Sequence, residues 1–326
     1  MSKRAITTSS RAIDASTTAR SILFDVSKDE QFHLNKGYKS LIKRLRLKCA
    51  VNKDAVVETK LQQYGIFATA GPRRPFSRSE FQALRDFVDS GKSVLVMMGE
   101  EGESKHQPRN INTFLEEYGI TINNDVVVRT QFYKYFHPKE CFVSNGVLNR
   151  GLLKGGAGDE PGPQLNFVFP YGSTLNVKDP SIPVLSSGSV SFPLNRPVAA
   201  FYTHPRSGGK VAVVGSPAMF ADGYVDKEDN FKIFEIIFKF LTTTEVALNL
   251  IDAEDPDVTD YNYIPDTKAL SEQLKVCLQE GEELSPDYSE WFDTRLFTFD
   301  VDVLPKVIRV SSTWFLPPSK ALAPYA

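Results

Sequence analysis

The sequence predicts an α/β protein with a mostly parallel sheet and helices on both faces, followed by a smaller α+β or extended C-terminal segment. Three observations predict it. Wholly apolar runs such as SVLVMMG (93–99) and KVAVVGS (210–216) read as strands covered on both sides. Helical patterns alternate with those runs across connections of a few residues. Beyond residue 251 the charge balance and the proline content change together.

The elements follow in order. The β-rich run SILFDVS (21–27) fits a buried first strand. In KGYKSLIKRLRLK (36–48), Tyr38, Leu41, Ile42 and Leu45 recur at i, i+3, i+4 and i+7, one apolar helix face. Lys36, Lys39, Lys43, Arg44 and Arg46 form the other, solvated face. YGIFATAG (64–71) is the next strand, closed by the Gly71-Pro72 turn. Ser77 and Glu80 then stand at capping-box spacing before Phe81, Leu84 and Val88, and Ser90-Gly91 ends that helix. After the 93–99 strand, NINTFLEEYGI (110–120) reads as a short helix and DVVVRT (125–130) as a strand.

The region 131–205 breaks the rhythm. It holds Gly155, Gly156, Gly158 and Gly162 among prolines running from Pro138 to Pro205, and reads as an insertion of short strands and loops. The rhythm resumes with KVAVVGS and with FKIFEIIFKFL (231–241), a helix apolar around most of its circumference that must pack on the sheet.

Composition bounds the function. An apolar content of 41% and a charged content of 24% are those of a globular protein. No apolar run approaches the roughly 18–20 residues that span a bilayer. The N-terminus lacks the apolar core of a secretory signal and reads as a flexible polar arm over 1–19. Residues 1–251 carry 32 basic against 25 acidic side chains, residues 252–302 carry 3 against 15, and residues 303–326 add 3 basic and none acidic. A domain over 20–250 and an acidic, Pro-containing extension over 251–326, a small second domain or partner-binding segment, follow from that asymmetry. Nucleic acid is not the expected partner, because phosphate binding needs a concentrated basic surface.

Chemistry-bearing motifs are sparse. Cys49, Cys141 and Cys277 are scattered and odd in number, and Cys49 reads as a core thiol. His33, His106, His137 and His204 lack metal-ligand spacing, so no metal and no cofactor is expected. KGGAGDEPGP (154–163) lacks the Gly-Lys-Ser/Thr ending of a phosphate loop, and no GxGxxG follows the first strand. Glu100 and Glu101, after the 93–99 strand, are the best acid/base candidates, with a solvated loop as the plainer reading. Ser216 lacks a GxSxG elbow and reads as a cap for the helix that follows.

The runs ILFDVS, YGIFATAGPRRPFSRSEFQALRDFVDSGKSVLVMMGE and GKVAVVGSPAMFADGYVDKEDNFKIFEIIFKFL together resemble the GIFT domain. That domain is shared by bacterial gliding-associated transport proteins and intraflagellar-transport proteins and is related to class I glutamine amidotransferases. The resemblance extends over residues 20–326, to intraflagellar-transport complex B subunits, and implies a flavodoxin-like or amidotransferase-like sheet. It places the family's nucleophilic Cys at Gly99, Glu100 or Glu101, and its His-Pro-Glu at Gly215-Ser216-Pro217. Nucleophile, base and orienting acid are all missing there, so a degenerate pocket of Gly99, Glu100, Glu101, Gly215 and Ser216 without catalytic residues is implied.

The resemblance further implies a non-enzymatic scaffold for cilium and flagellum assembly, located in the cilium or flagellum, the basal body and the cytoplasm. Its implied partners are other complex B subunits, including a helical-repeat subunit of about 88 kilodaltons and a repeat subunit that wraps an extended segment of this chain. Trp291, Phe292, Trp314, Phe315 and Leu316 are the candidate partner anchors, with packing back on the α/β body as the alternative. Two other functions stay open on sequence alone: a sugar-binding module lined by Glu100 and Glu101, and a divergent hydrolase using Glu100 or Ser216.

Overall fold

A computed structural model describes residues 21–54, 61–100, 102, 109–153 and 164–254. The chain divides into two compact units, residues 1–272 and 273–326, and every described residue lies in the first. The expected arm over 1–19, and the extension beyond 254 with Cys277 and its five anchor residues, lie outside the described residues.

In chain order the strands are β1 (Ser21–Asp25), β2 (Ala50–Asp54), β3 (Ile66–Ala70), β4 (Ser93–Met97), β5 (Ile120–Ile122), β6 (Val128–Arg129), β7 (Glu140–Val143), β8 (Phe167–Pro170), β9 (Leu175–Val177), β10 (Ile182–Ser186), β11 (Ser191–Phe192), β12 (Pro197–Thr203) and β13 (Lys210–Val214). The helices are α1 (Lys39–Leu45), α2 (Arg78–Asp89), α3 (Asn112–Leu115), α4 (Asn230–Thr242) and α5 (Leu250–Glu254).

Seven strands make the main sheet, in the order β10-β12-β13-β4-β3-β1-β2. The run from β2 to β13 is parallel throughout, while β12 and β10 add an antiparallel margin. The five parallel strands thus have the flavodoxin-like 2-1-3-4-5 order. Alternation along each strand divides the core in two. Ile22, Phe24, Ile66, Ala68, Leu95, Met97, Ala212 and Val214 face α1 and α4. Leu23, Phe67, Val94, Val96, Val211 and Val213 face α2 and α3. Helices therefore cover both faces, as the apolar strand runs require.

The helix patterns hold residue by residue. Tyr38, Leu41, Ile42 and Leu45 are all buried, and each contributes about 1.5–3 kcal/mol through removal from water. At the start of α2, Ser77 Oγ accepts the Glu80 N–H at 3.3 Å while the Glu80 carboxylate accepts the Ser77 N–H at 2.7 Å, the reciprocal capping box. Gly119 ends the next helical stretch in the left-handed region, at φ +77°.

Four expectations need correction. The helix over 110–120 is one α turn, Asn112–Leu115, tightening into a 3-10 turn at Glu116–Tyr118. The strand over 125–130 shrinks to Val128–Arg129 and pairs antiparallel with β11, away from the main sheet. In its place β12 and β10 leave the irregular region and join the main sheet antiparallel. The edge strand β2 was not expected at all. Its AVNKD sequence has no apolar alternation, because an edge strand needs little burial.

Candidate functional site at the carboxyl edge of the sheet

Parallel α/β sheets bind ligands in the crevice outside the carboxyl ends of their strands. Met97 at the end of β4 is in register with Val214 at the end of β13. The Met98 N–H donates to the Val214 carbonyl at 3.0 Å, which sets Gly99 and Glu100 beside Gly215 and Ser216. Those four expected pocket positions come together, and Glu101 lies outside the described residues.

The space between them is filled by the stretch that follows β8. Gly99 bridges to Gly172, the Glu100 N–H donates to the Tyr171 carbonyl at 3.0 Å, and the Ser173 N–H donates to the Gly215 carbonyl at 2.8 Å. A Cβ on Gly215 would stand 2.1 Å from the Ser173 carbonyl oxygen, and one on Gly172 would stand 2.3 Å from the Phe169 ring. Only glycine permits backbones to approach so closely. From the other side Gln31 reaches across the strand ends: its Oε1 would be 3.2 Å from a Cβ on Gly71 and 3.5 Å from one on Gly99.

This packing decides what the residues can do. An oxyanion site needs free N–H donors aimed into open space. The Glu100 and Gly215 N–H groups already donate, to Tyr171 and Val198. Ser216 is fully buried; its hydroxyl donates to the Pro170 carbonyl and accepts the Met219 N–H at 3.2 Å. It thereby holds the 3-10 turn Ala218–Phe220 from the residue before that turn's N-cap, Pro217, where the sequence suggested a helix cap.

Glu100 lies in the turn after β4 with its side chain 30% exposed. It accepts from the Lys139 ammonium at 2.7 Å, and that lysine is 5% exposed. Each charge satisfies the other. The His137 ring packs 5.0 Å from Tyr171, and burial holds its pKa below the ordinary value of 6.5. Among the described residues, no three His, Cys, Asp or Glu side chains are placed to hold a metal ion.

The β1–β3 switch point, where this strand order most readily binds a ligand, carries a buried charge cluster instead. Asp25 is 1% exposed and Glu30 5%. Burial, and then the neighbouring Asp25, push the Glu30 carboxyl up to about 7. Asp25 Oδ1 accepts from Ser27, whereas the buried Oδ2 has no hydrogen-bond partner among the described residues. Lys28 clamps both Glu80 oxygens at 2.7 Å. Burial works against the Glu80 charge, but the bonds from Lys28 and Ser77 overcome it and hold that carboxyl below its ordinary value.

Sequence reasoning missed Gln31, Lys139, Tyr171 and the Asp25–Glu30 pair. The glycines did leave a signal, since Gly71, Gly99, Gly172 and Gly215 all sit where strands end. It also missed a surface. Phe132, Tyr133 and Phe136 are 66%, 59% and 43% exposed, with the Arg129 guanidinium 4.7 Å from the Phe132 ring centre. Aromatic side chains with an arginine are the composition of protein interface anchors.

Comparison with known proteins agrees with this architecture. The family model described as the IFT52 GIFT domain matches residues 21–254, and that of the IFT52 central domain matches residues 270–314. The intraflagellar transport protein 52 homolog of Mus musculus is 50% identical over 302 residues, covering 88% of this chain and 71% of that protein. The Homo sapiens homolog is 46% identical over 300 residues, covering 88% and 68%. The solved mmIFT52 N-terminal domain superposes with a TM-score of 0.66 at 49% identity, covering 70% of this chain and all of that one. From its GIFT domain through its central domain, the chain belongs to the intraflagellar transport protein 52 family.

Proposed function

We propose that this chain is a non-enzymatic scaffold subunit of the intraflagellar-transport complex B core, acting in cilium and flagellum assembly through protein–protein contacts. Family membership supports the transport role. The observation that carries the non-enzymatic part is the filled carboxyl edge. Tyr171, Gly172 and Gln31 occupy the crevice, the Ser216 hydroxyl is spent on the backbone, and Glu100 is neutralised by Lys139. The same filling speaks against the sugar-binding and hydrolase alternatives, which need room and a free polar group.

The partners in this reading are other complex B subunits, among them the helical-repeat subunit and the repeat subunit that wraps this chain. Their contacts fall on Trp291, Phe292, Trp314, Phe315 and Leu316 in the extension and on the exposed Phe132–Phe136 aromatics of the body. The subunit works in the cilium or flagellum, the basal body and the cytoplasm.

Co-purification with complex B subunits tests the proposal. Trp291→Ala with Phe292→Ala, Trp314→Ala with Phe315→Ala, and Phe132→Ser with Tyr133→Ser are expected to lower partner recovery about tenfold or more per pair, as hot-spot aromatics do. Glu100→Gln is expected to leave recovery unchanged. Recovery that survives all three aromatic pairs, or turnover of an amide or glycoside that Glu100→Gln abolishes, overturns it.

A further inference from the structure

The basic side of α1, which the sequence marks as one solvated face, is divided in two by the fold. On one flank Arg44 pairs with Asp226, and Lys48, in the turn after the helix, pairs with Glu235 on α4. Asp222 accepts the Ser40 N–H there at 2.7 Å, and the Arg44 guanidinium lies 4.3 Å from the Phe231 ring centre. Tyr38, Leu41, Ile42 and Leu45 are spent on the core.

The other flank is different. The Arg46 N–H donates to the Ile42 carbonyl at 2.9 Å, so the helical path continues through that residue. At about 3.6 residues per turn, Lys39, Lys43 and Arg46 then fall at i, i+4 and i+7 on the flank away from Arg44 and Lys48. All three are exposed, and none meets a carboxylate among the described residues. Leu47 follows them, 87% exposed.

Three like charges therefore stand on a line about 10 Å long, at the spacing where neighbours on a helix repel. The acids that could relieve them, Asp222, Asp226 and Glu235, are all committed to the other flank. A bare leucine at the end of an uncompensated stripe gives the surface an apolar anchor beside its charge.

We propose that this stripe docks an acidic helix of another complex B subunit, which rests on the reading of the chain as a subunit of that complex. Carboxylates at three- and four-residue spacing on the partner face Lys39, Lys43 and Arg46, and an apolar side chain covers Leu47. Charge complementarity selects this occupant, and it sets encounter rate and register more than affinity. A membrane surface fits less well. The apolar face of α1 is buried in the core, so Leu47 alone is left to enter a bilayer, and stable attachment takes more than one weak signal. Three cations also fall short of the concentrated basic surface that nucleic acid needs.

Carbodiimide coupling tests this, since it condenses a lysine amine with a touching carboxylate into an amide that mass spectrometry locates. It is applied to the full chain alone and to complex B reconstituted with it. Lys48 joined to Glu235 is the internal control in both samples. Lys39 and Lys43 are expected to join Asp or Glu of another subunit, in the complex only. Lys39→Glu, Lys43→Glu and Arg46→Glu combined are expected to lower recovery of that subunit about tenfold at low salt, with the chain's own urea midpoint unchanged. A complex that shows the control product but no intersubunit product at Lys39 or Lys43 overturns this inference and leaves the scaffold reading standing. Failure to recover any complex B subunit with the parent chain removes both. Products with acids of this chain itself also overturn the inference. So does binding to phosphatidylserine vesicles that the triple variant abolishes while intersubunit products are missing, because the membrane is then the occupant.

Discussion

Glu30→Gln is expected to stabilise the protein at pH 8 and to leave its stability unchanged near pH 4.5. In the folded chain the Glu30 carboxyl sits 5% exposed against Asp25, which raises its pKa from 4.5 to about 7. A folded-state pKa above the unfolded value means that the folded state binds the proton more tightly. Its contribution is therefore fully present below about pH 4.5, fades as pH rises through about 7, and is gone above that. At about 1.4 kcal/mol for each pKa unit, the contribution lost across that window is on the order of 3 kcal/mol.

Glutamine reproduces the protonated carboxyl at every pH. Its oxygen keeps the acceptor that the Lys28 N–H uses at 3.0 Å, and its amide gives Asp25 Oδ2 the donor it otherwise lacks. His137 opposes Glu30 in part of the same window: burial depresses its pKa below 6.5, so folding becomes more favourable as pH rises toward that value. Comparing variant with parent cancels that term. Urea unfolding at pH 4.5 and pH 8 is expected to show no difference at the lower pH and a gain of about 1–3 kcal/mol for Glu30→Gln at the higher. An equal gain at both values, or none at pH 8, refutes the raised Glu30 pKa.

Three further substitutions address the packing. Asn230 is fully buried; its oxygen accepts the Val168 N–H at 2.9 Å and its amide donates to the Val168, Met219 and Tyr224 carbonyls at 3.0–3.1 Å, so Asn230→Ala is expected to cost about 3 kcal/mol in urea unfolding. Lys210 caps the carboxyl end of α4 by donating to the Phe240 carbonyl at 2.6 Å and to that of Thr243, and Lys210→Met is expected to cost about 2 kcal/mol with faster amide exchange in the last turn of α4. Gly215→Ala tests the filled crevice directly: with backbone oxygen 2.1 Å from the new methyl it is expected to cost about 3 kcal/mol, whereas a neutral outcome means that the space is open.

What the sequence could disclose follows from how local each cause is. The α1 face, the Ser77–Glu80 box and the parallel strands β1, β3, β4 and β13 rest on residues within a turn or a pleat of one another, and all were legible. Strand β12 was hidden because its Pro197 start looks like another break in a Pro- and Gly-rich stretch, although proline is tolerated at the first residue of a strand. At the site, the absence of a nucleophile and base at Gly99–Glu100 and Gly215–Pro217 could be read once the two strands were placed. What replaces them could not. Lys139 reaches Glu100 across 39 residues, Ser216 meets Pro170 across 46, and Gln31 settles over glycines at the ends of two other strands. Each of these contacts is set by the fold, and together they convert a crevice that most sheets of this order keep open into packed interior. Surface is what then remains for evolution to work on, and the exposed aromatics of 132–136 are part of it.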